Sequence, residues 1–468
     1  MNIKKITMKY MKYLLGALVF TAVFSCNKKL DVLPQNNVTS IQNGDDVKAL
    51  LFGGYSLMQS ASAFGEQYIF ISDLLASDNQ LDFVGTFTDY KDISFKQQTK
   101  ESAIATTIWE NSYLLIENMN IVLDKISLVD ESEQKEVAAE AKFMRGVAYY
   151  ELINYFAKPY SAGNTSSTDG VPLVLQPTYN YDSTKNKPSR ASIEDVYNQI
   201  ISDLTDAAKD LPGFADNARA TSYSAEAFLA RVYLNKGDYT NAATAANDVI
   251  QSGNYNLTST FNQAFNNPSN STEDIFGIQN TAQSNAGTTD NGIVTFYRYA
   301  YDADGNNAGG RGDAQVDQNY FNVFDDPNDF RASFFTQGYS ISGNPGIYTL
   351  KWLTFYRVVP VVRLAEMYLT RGEANLRKGG APIGGVTPEE DINTVRERAG
   401  ASDLSGVTGS DFVDERFREL GFEGDRLWTL KRLKLDVGDY AFDAPELVLP
   451  IPQREIDVNS NLTQNEGY

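Results

Sequence analysis

Apolar positions recur at helical spacing along several separate stretches of the chain. Between Thr106 and Lys125, Ile108, Trp109, Ser112, Leu115, Ile116, Met119 and Val122 fall three or four residues apart, the stripe of an amphipathic helix. A similar signal starts near Asp45 and runs to about residue 60, and another spans Glu131 to Phe156 and stops ahead of Pro159. Trp109, Tyr149 and Tyr150 lie on these stripes and are expected in the core. Residues 60–100, 157–190 and 254–350 lack the period and are rich in Gly, Asn, Ser, Thr, Asp and Tyr. Segments of that length in a compact body are usually binding loops or small folded excursions.

Within Ala225 to Gly253, Leu229, Ala230, Tyr233, Gly237, Tyr239, Ala242 and Ala246 take the spacing of a tetratricopeptide hairpin, in which small residues let two helices approach and Gly237-Asp238 makes the turn. A second helix-turn-helix is predicted from Val361 to Arg398. Helices near 45–60, 106–156, 190–250 and 361–398 supply four pairs, enough to stack into a continuous core.

The N-terminus follows a different pattern. Lys4, Lys5, Lys9 and Lys12 precede an apolar run from Tyr13 to Phe24, followed by Ser25 and Cys26, the one cysteine of the 468 residues. As a helix that run would reach roughly 18 Å, short of a hydrocarbon core of roughly 30 Å. It reads as an export signal over residues 1–25, with Val23-Phe24-Ser25-Cys26 similar to a bacterial lipobox, Phe24 being bulkier than usual. Cys26 is the expected lipidation site, residues 26–45, with Pro34 and Asn36-Asn37, a polar tether, and residues 46–468 the folded body.

Composition then removes whole classes of function. The chain carries 40 basic and 60 acidic residues, and loss of residues 1–25 removes four lysines and no acids, so nucleic acid is not an expected partner. Histidine is absent, which excludes histidine-based triads and the commonest zinc sets, and no cofactor is expected. Twenty-seven Tyr and 26 Phe suffice both for a large core and for exposed aromatic contacts.

Several separated segments resemble one family, the SusD/RagB outer-membrane nutrient-binding lipoproteins. Cys26 with Leu30-Asp31 and Pro34 is similar to its mature N-terminus, and Ala139-Glu140-Ala141-Lys142-Phe143-Met144-Arg145 with Tyr149 and Tyr155-Phe156 to its central helix. Pro188-Ser189-Arg190 resembles the next helix start, and Arg363-Leu364-Ala365-Glu366-Met367-Tyr368-Leu369 with Asn393, Arg396 and Arg398-Ala399-Gly400 its closing hairpin. Glu415-Arg416, Glu419-Leu420, Phe422-Glu423-Gly424, Arg426-Leu427-Trp428, Leu449-Pro450-Ile451-Pro452 and the ending Gln464 to Tyr468 resemble its C-terminal part.

The resemblance implies a mainly α, single-body fold with four tetratricopeptide-like helix pairs and a loop-rich irregular lobe. It also implies a non-catalytic protein, lipid-anchored on the outer face of the outer membrane, that captures oligosaccharide for a SusC-like TonB-dependent transporter. Peptide capture on the same scaffold is the alternative ligand class, and a surface glycoside hydrolase the remaining one. Arg363, Glu366, Glu415, Arg416, Glu423 and Arg426 alternate in sign and are expected to form a buried ion-pair network.

Sugar binding needs aromatic faces with polar neighbours on loops. The expected ligand residues are Phe83, Tyr90, Tyr297, Tyr299 and Tyr301, with Asn79, Asp82 and Arg298 as polar partners. Tyr339 and Tyr348 lie in a third aromatic stretch, and Trp352, in what resembles a family strand, is expected in the core. Asp302 and Asp304, with Asp313 further on, offer hard oxygens for calcium, but Gly305 comes two positions early for the helix-loop-helix pattern, so a solvated turn is expected there. Arg311-Gly312-Asp313 is read as a turn.

Overall fold

The computed structural model describes residues 41–468 except 78, 181, 183–185 and 215–217; the export segment, Cys26 and most of the expected tether lie outside the described residues. The first helices are α1 (Gly44–Gln59), α2 (Gln67–Leu75), α3 (Thr88–Ser94), α4 (Ala103–Asp124), α5 (Gln134–Phe156) and α6 (Ile193–Asp210). They are followed by α7 (Ser222–Lys236), α8 (Tyr239–Gln251) and α9 (Ile293–Tyr297), then α10 (Leu364–Lys378), α11 (Pro388–Arg398), α12 (Gly409–Leu420), α13 (Arg426–Arg432) and α14 (Gln453–Val458). No described helix is long and apolar enough to cross a membrane.

The helices pack in sequence: α1 on α4, α4 on α5, α5 on α6, α6 on α7, α7 on α8, α8 on α10 and α10 on α11. Local chemistry explains where they start and stop. Asn43 and Asp46 form a reciprocal cap at the start of α1, Ser192 accepts the Asp195 amide at the start of α6, and Thr387 with Glu390 caps α11, each satisfying amides that the helix leaves unpaired. Gly237 turns α7 into α8 at φ +77°, a conformation that costs glycine little, and Asp238 then caps α8. Close approach needs a second glycine. A Cβ on Gly54 of α1 would lie 2.7 Å from Met119 of α4 and 2.8 Å from Met144 of α5.

α5 is the central element, buried from Ala139 to Phe156 except at Lys142. A bidentate pair from Arg145 to Asp203 (2.7 and 2.8 Å) locks it to α6. Trp109, Tyr149 and Tyr150 are all buried, as their place on the apolar stripes implies.

Three small antiparallel sheets complete the body: β1 (Leu81–Phe83) with β4 (Ala314–Val316), β2 (Asp274–Ile278) with β7 (Val359–Arg363), and β3 (Tyr301–Asp302) with β5 (Phe335–Tyr339) and β6 (Pro345–Thr349) in the order β3-β5-β6. Two expectations change here. Residues 361–363 end β7 rather than begin a helix, because they pair with β2. Trp352 lies in a turn beyond β6, buried, with its indole N–H donating to the Phe422 carbonyl at 2.8 Å, so it belongs to the core but not to a strand. Residues 60–100 also fold more regularly than their pattern implies. α2 is buried on every side, and a helix without a solvent face shows no polar period.

Candidate functional site

The expected ion-pair network is real, and it occupies the interior. Arg363 at the end of β7 reaches Glu273 (3.0 Å), Glu419 (3.0 Å) and Glu423 (2.8 Å). Arg331 reaches Asp329 (2.7 Å), Glu415 (2.6 Å) and Glu419 (3.2 Å), Arg398 joins Glu273 to Glu419, and Lys351 meets Glu423 at 2.6 Å. Glu366 pairs with Arg231 at 2.6 Å and Arg416 with Asp425. Burial opposes the Glu419 charge, yet Arg398, Arg363, Arg331 and Lys351 hold its carboxyl at about 2. These acids are saturated by cations inside the protein, which is the geometry of a structural clamp. Arg426, the remaining expected member, lies over the Phe417 ring, 4.1 Å from its centroid.

Two of the expected sugar platforms are also internal. Tyr297 is 1% exposed and donates to Asp73 at 2.7 Å. Tyr90 is 7% exposed, donates to Glu66 and packs among Phe70, Phe83 and Phe296. Neither can take a ligand; each satisfies a buried carboxyl instead. Burial pushes Glu66 and Asp73 up to about 7, against the hydrogen bonds they accept. Phe83 is half-buried against Phe70 and Tyr90. Asn79 is exposed in the turn before β1, and Asp82 is exposed on the β1–β4 ribbon, where it faces Gln315; that ribbon abuts β6. Tyr348 is buried, with its hydroxyl donating to the Gly312 carbonyl at 3.3 Å.

What remain at the surface are aromatic side chains on β3, β5 and the segment at 355–356. Tyr301 of β3 and Tyr339 of β5 are direct cross-strand partners, so their side chains emerge on one side of the sheet, 36% and 37% exposed. Tyr299, half-buried, leans over Gly338 and lies 6.0 Å from the Tyr348 ring. Arg298 places its guanidinium 5.5 Å from the centroid of Phe355, and Tyr356 stands beside Phe355 with ring centroids 6.3 Å apart. Tyr356 is 40% exposed at φ +58°, a strained conformation for a bulky residue, and such strain concentrates at functional positions.

Beside this pair runs a groove lined by Asn280, Asn285, Thr288, Phe355, Tyr356 and Arg357. Its 20 Å³ is about the room of one water, so a sugar ring would rest across the rim. The groove is held from below by the turn between α1 and α2. Gly65 O accepts from Ile293 N at 2.9 Å, and Glu66 accepts from Gly292 N at 2.6 Å.

The segment at Asp302 forms a turn, with Gly305 N donating to the Asp302 carbonyl at 3.0 Å. Asp302 Oδ1 already accepts from the amides of Asp304 (3.0 Å) and Asn306 (2.8 Å), and the Asn306 side chain and these amides hold the Asp302 carboxyl below its ordinary range. Asp304 is exposed, and Asp313 is buried against Arg311 at 2.7 Å. No cluster of three metal-ligating side chains exists among the described residues. Arg311-Gly312-Asp313 is not the expected turn but an irregular segment leading into β4, tied by its backbone to Thr295, Arg298 and Ile341, with Gly312 at φ +62° and the Arg311 guanidinium 4.4 Å from the Phe87 centroid.

Sequence reading missed Phe355, Tyr356 and Arg357, although an aromatic pair followed by arginine was visible. It also missed Glu273, Asp329 and Arg331 of the network, for which no local signal exists.

Comparisons with known proteins bear on the same architecture. A family model described as starch-binding, associating with the outer membrane, matches residues 30–234, and the SusD family model matches residues 357–445. SusD-like protein P2 of Formosa agariphila is 26% identical over 90% of this chain and 92% of its own length. The starch-binding protein SusD of Bacteroides thetaiotaomicron is 25% identical over 75% of this chain and 76% of its own. The crystal structure of a SusD superfamily protein from Bacteroides thetaiotaomicron superposes with a TM-score of 0.80 at 24% identity, covering 91% of this chain and all of that one. Another SusD superfamily structure, from Bacteroides vulgatus, gives 0.80 at 21% identity over 92% of this chain and all of that one.

Proposed function

The chain belongs to the SusD/RagB family, and from that premise we propose that it is a cell-surface lipoprotein that captures oligosaccharide and delivers it to a SusC-like TonB-dependent transporter. The family is one of carbohydrate- and nutrient-binding proteins associated with the outer membrane. Cys26, at the end of the export segment, carries the lipid, and residues 26–45 are its tether. The body binds and catalyses nothing.

The observation that carries the reading is the exposed cross-strand pair Tyr301 and Tyr339. A pyranose presents flat faces of C–H groups whose burial on an aromatic ring gains apolar area, while hydroxyls find nearby amides and guanidiniums. Tyr299, Arg298 and the Phe355–Tyr356 pair extend that surface. The acids of the buried network, by contrast, are bound to arginine and lysine, and Glu66 and Asp73 accept from tyrosine hydroxyls, whereas hydrolysis needs a pair of carboxyls across a scissile bond.

The test is calorimetry on a soluble chain lacking residues 1–26, with oligosaccharides selected on a glycan array. Tyr301→Ala and Tyr339→Ala should each weaken binding by about 1–3 kcal/mol, the range for a central aromatic contact, with unchanged melting temperature. Peptide binding without glycan binding, or wild-type affinity in both variants, refutes the reading. Cys26→Ala should release the full-length protein from the membrane fraction.

A further inference from the structure

We propose that a recess on α1, ringed by Lys48, Phe52, Glu133, Glu136 and Arg219, takes a neutral pyranose unit of the glycan. The proposal rests on the carbohydrate reading above and adds to it a second sugar contact, apart from Tyr301 and Tyr339.

The ring closes through contacts between successive side chains. Lys48 Nζ meets Glu133, the residue before α5, at 3.0 Å. Glu136 follows Glu133 by one turn, and its carboxylate lies 3.9 Å from the Arg219 guanidinium. Arg219 places that guanidinium 5.4 Å from the centroid of Phe52, and Phe52 follows Lys48 by one turn of α1, which completes the circuit. Leu51 and Val137, both buried, add apolar walls. These side chains line a single space of 240 Å³, against 20 Å³ beside Tyr356. Drug-sized ligands fill about 300–1,000 Å³, so the recess suits one ring-sized unit.

A ligand can reach it. Phe52 is 49% exposed, and the four charged side chains of the ring are each partly exposed. Much of their hydrogen-bonding capacity is unused. Arg219 Nε and Nη2 donate to Glu140, and its Nη1 has no acceptor among the described residues. Glu136 accepts no hydrogen bond there, since 3.9 Å from Arg219 is beyond bonding range, and Glu133 accepts from Lys48 through one oxygen. Two cations thus alternate with two carboxylates around the rim. A hydroxyl both donates and accepts, so neighbouring sugar hydroxyls can bridge donors and acceptors in that order. An anionic group only accepts and would face Glu133 and Glu136. The C–H face of the sugar is left for Phe52, Leu51 and Val137.

The same helix carries a polar and aromatic surface onward to the groove beside Phe355 and Tyr356. Lys48, Phe52, Tyr55 and Gln59 fall at i, i+4, i+7 and i+11 of α1, on one face, over a rise of roughly 16 Å. Tyr55, Ser56 and Gln59 line a recess of 150 Å³ with Gln279 and Ser284. The residues next to these two, Asn280 and Asn285, line the groove at Tyr356. An oligosaccharide seated at that groove therefore has a path along α1 that ends at Phe52.

The experiment titrates the soluble chain lacking residues 1–26 with malto-, xylo-, cello- and mannohexaose, and with hexagalacturonate and hexaglucosamine as charged probes of either sign. Phe52→Ala should lower the affinity for the neutral hexasaccharide that binds by about threefold to tenfold, the range for one aromatic contact, at an unchanged melting temperature. Glu136→Gln keeps the shape of an exposed side chain and should lower it by about twofold or more, through loss of a charge-assisted hydrogen bond. Phe52→Trp should add a change in tryptophan emission on titration that the parent chain does not give. Parent affinity in both Phe52→Ala and Glu136→Gln overturns the α1 site and leaves the carbohydrate reading standing. A preference for either charged probe that Phe52→Ala removes overturns the neutral ligand class. Binding to no glycan overturns both the site and the carbohydrate reading.

Discussion

Glu419 is the strongest single test of the buried network. Its carboxylate meets Arg331, Arg363 and Arg398 in a site with no exposure to solvent. Those cations hold it at about 2 against an ordinary 4.5. A shift of that size corresponds to about 3 kcal/mol in favour of the charged form, in line with the roughly 3–5 kcal/mol lost when one partner of a buried pair is removed. Glu419→Gln keeps the shape and removes the charge, leaving three guanidiniums under-compensated. For a body of this size unfolding entropy is roughly 1 kcal/mol per degree, so calorimetry at pH 7 should show melting about 3 °C lower.

The pH dependence adds a second signature. A carboxyl whose folded value is depressed contributes fully above its unfolded value and loses that contribution as pH falls through the folded one. The gap between wild type and Glu419→Gln should therefore be complete above about pH 4.5 and narrow progressively towards pH 2. A gap below one degree at pH 7, or one that does not narrow in acid, refutes the assignment of Glu419 as the hub.

Three further outcomes follow from other groups. Glu66, raised to about 7 by burial, behaves oppositely: its protonated form is favoured in the fold, so its contribution is full below about 4.5 and lost as pH rises through 7. Glu66→Gln should therefore flatten the decline in melting temperature between pH 5 and 8, and an unchanged slope excludes Glu66 as its source. Tyr297→Phe should cost about 1 kcal/mol by removing the bond to Asp73 and leave glycan affinity intact; lost binding at unchanged melting would restore Tyr297 as a ligand residue. Gly65→Ala would set a Cβ 2.2 Å from Gln59 O and 2.5 Å from the Ala286 side chain, so stability and groove affinity should fall together, measured by melting and titration.

The helices were the legible part of the sequence. The stripe read over Thr106 to Lys125 is α4, and Gly237-Asp238 turns where its spacing places the turn, because a repeated period and a turn residue are local information. The site was only half legible for a physical reason. Tyr297 and Tyr301 sit four residues apart in the same aromatic cluster, yet one is buried and the other exposed. What separates them is Asp73, 224 residues away in sequence, and no local pattern carries that contact. Tyr356 was not singled out because its exposure and its positive φ are set by the fold and not by a local pattern. The network acids Glu415 and Glu423 were visible through their alternation with arginine, whereas Glu419, Glu273 and Arg331 became partners only through the fold.

The buried network also sets an order of events for a chain made from its N-terminus. Arg331, Arg363 and Arg398 are synthesised before Glu415, Glu419 and Glu423, which neutralise much of their charge. Until α12 and the turn after it arrive, closing this part of the core would trap unpaired cations, so the incomplete chain is held open by its own charges. The same late region is tied to early segments by Leu449 N donating to the Tyr155 carbonyl at 2.8 Å and by Gln98 donating to the Tyr468 hydroxyl at 2.7 Å. The stretch from Glu415 to Tyr468 thus acts as a latch: it makes completion of synthesis a condition for collapse of this core.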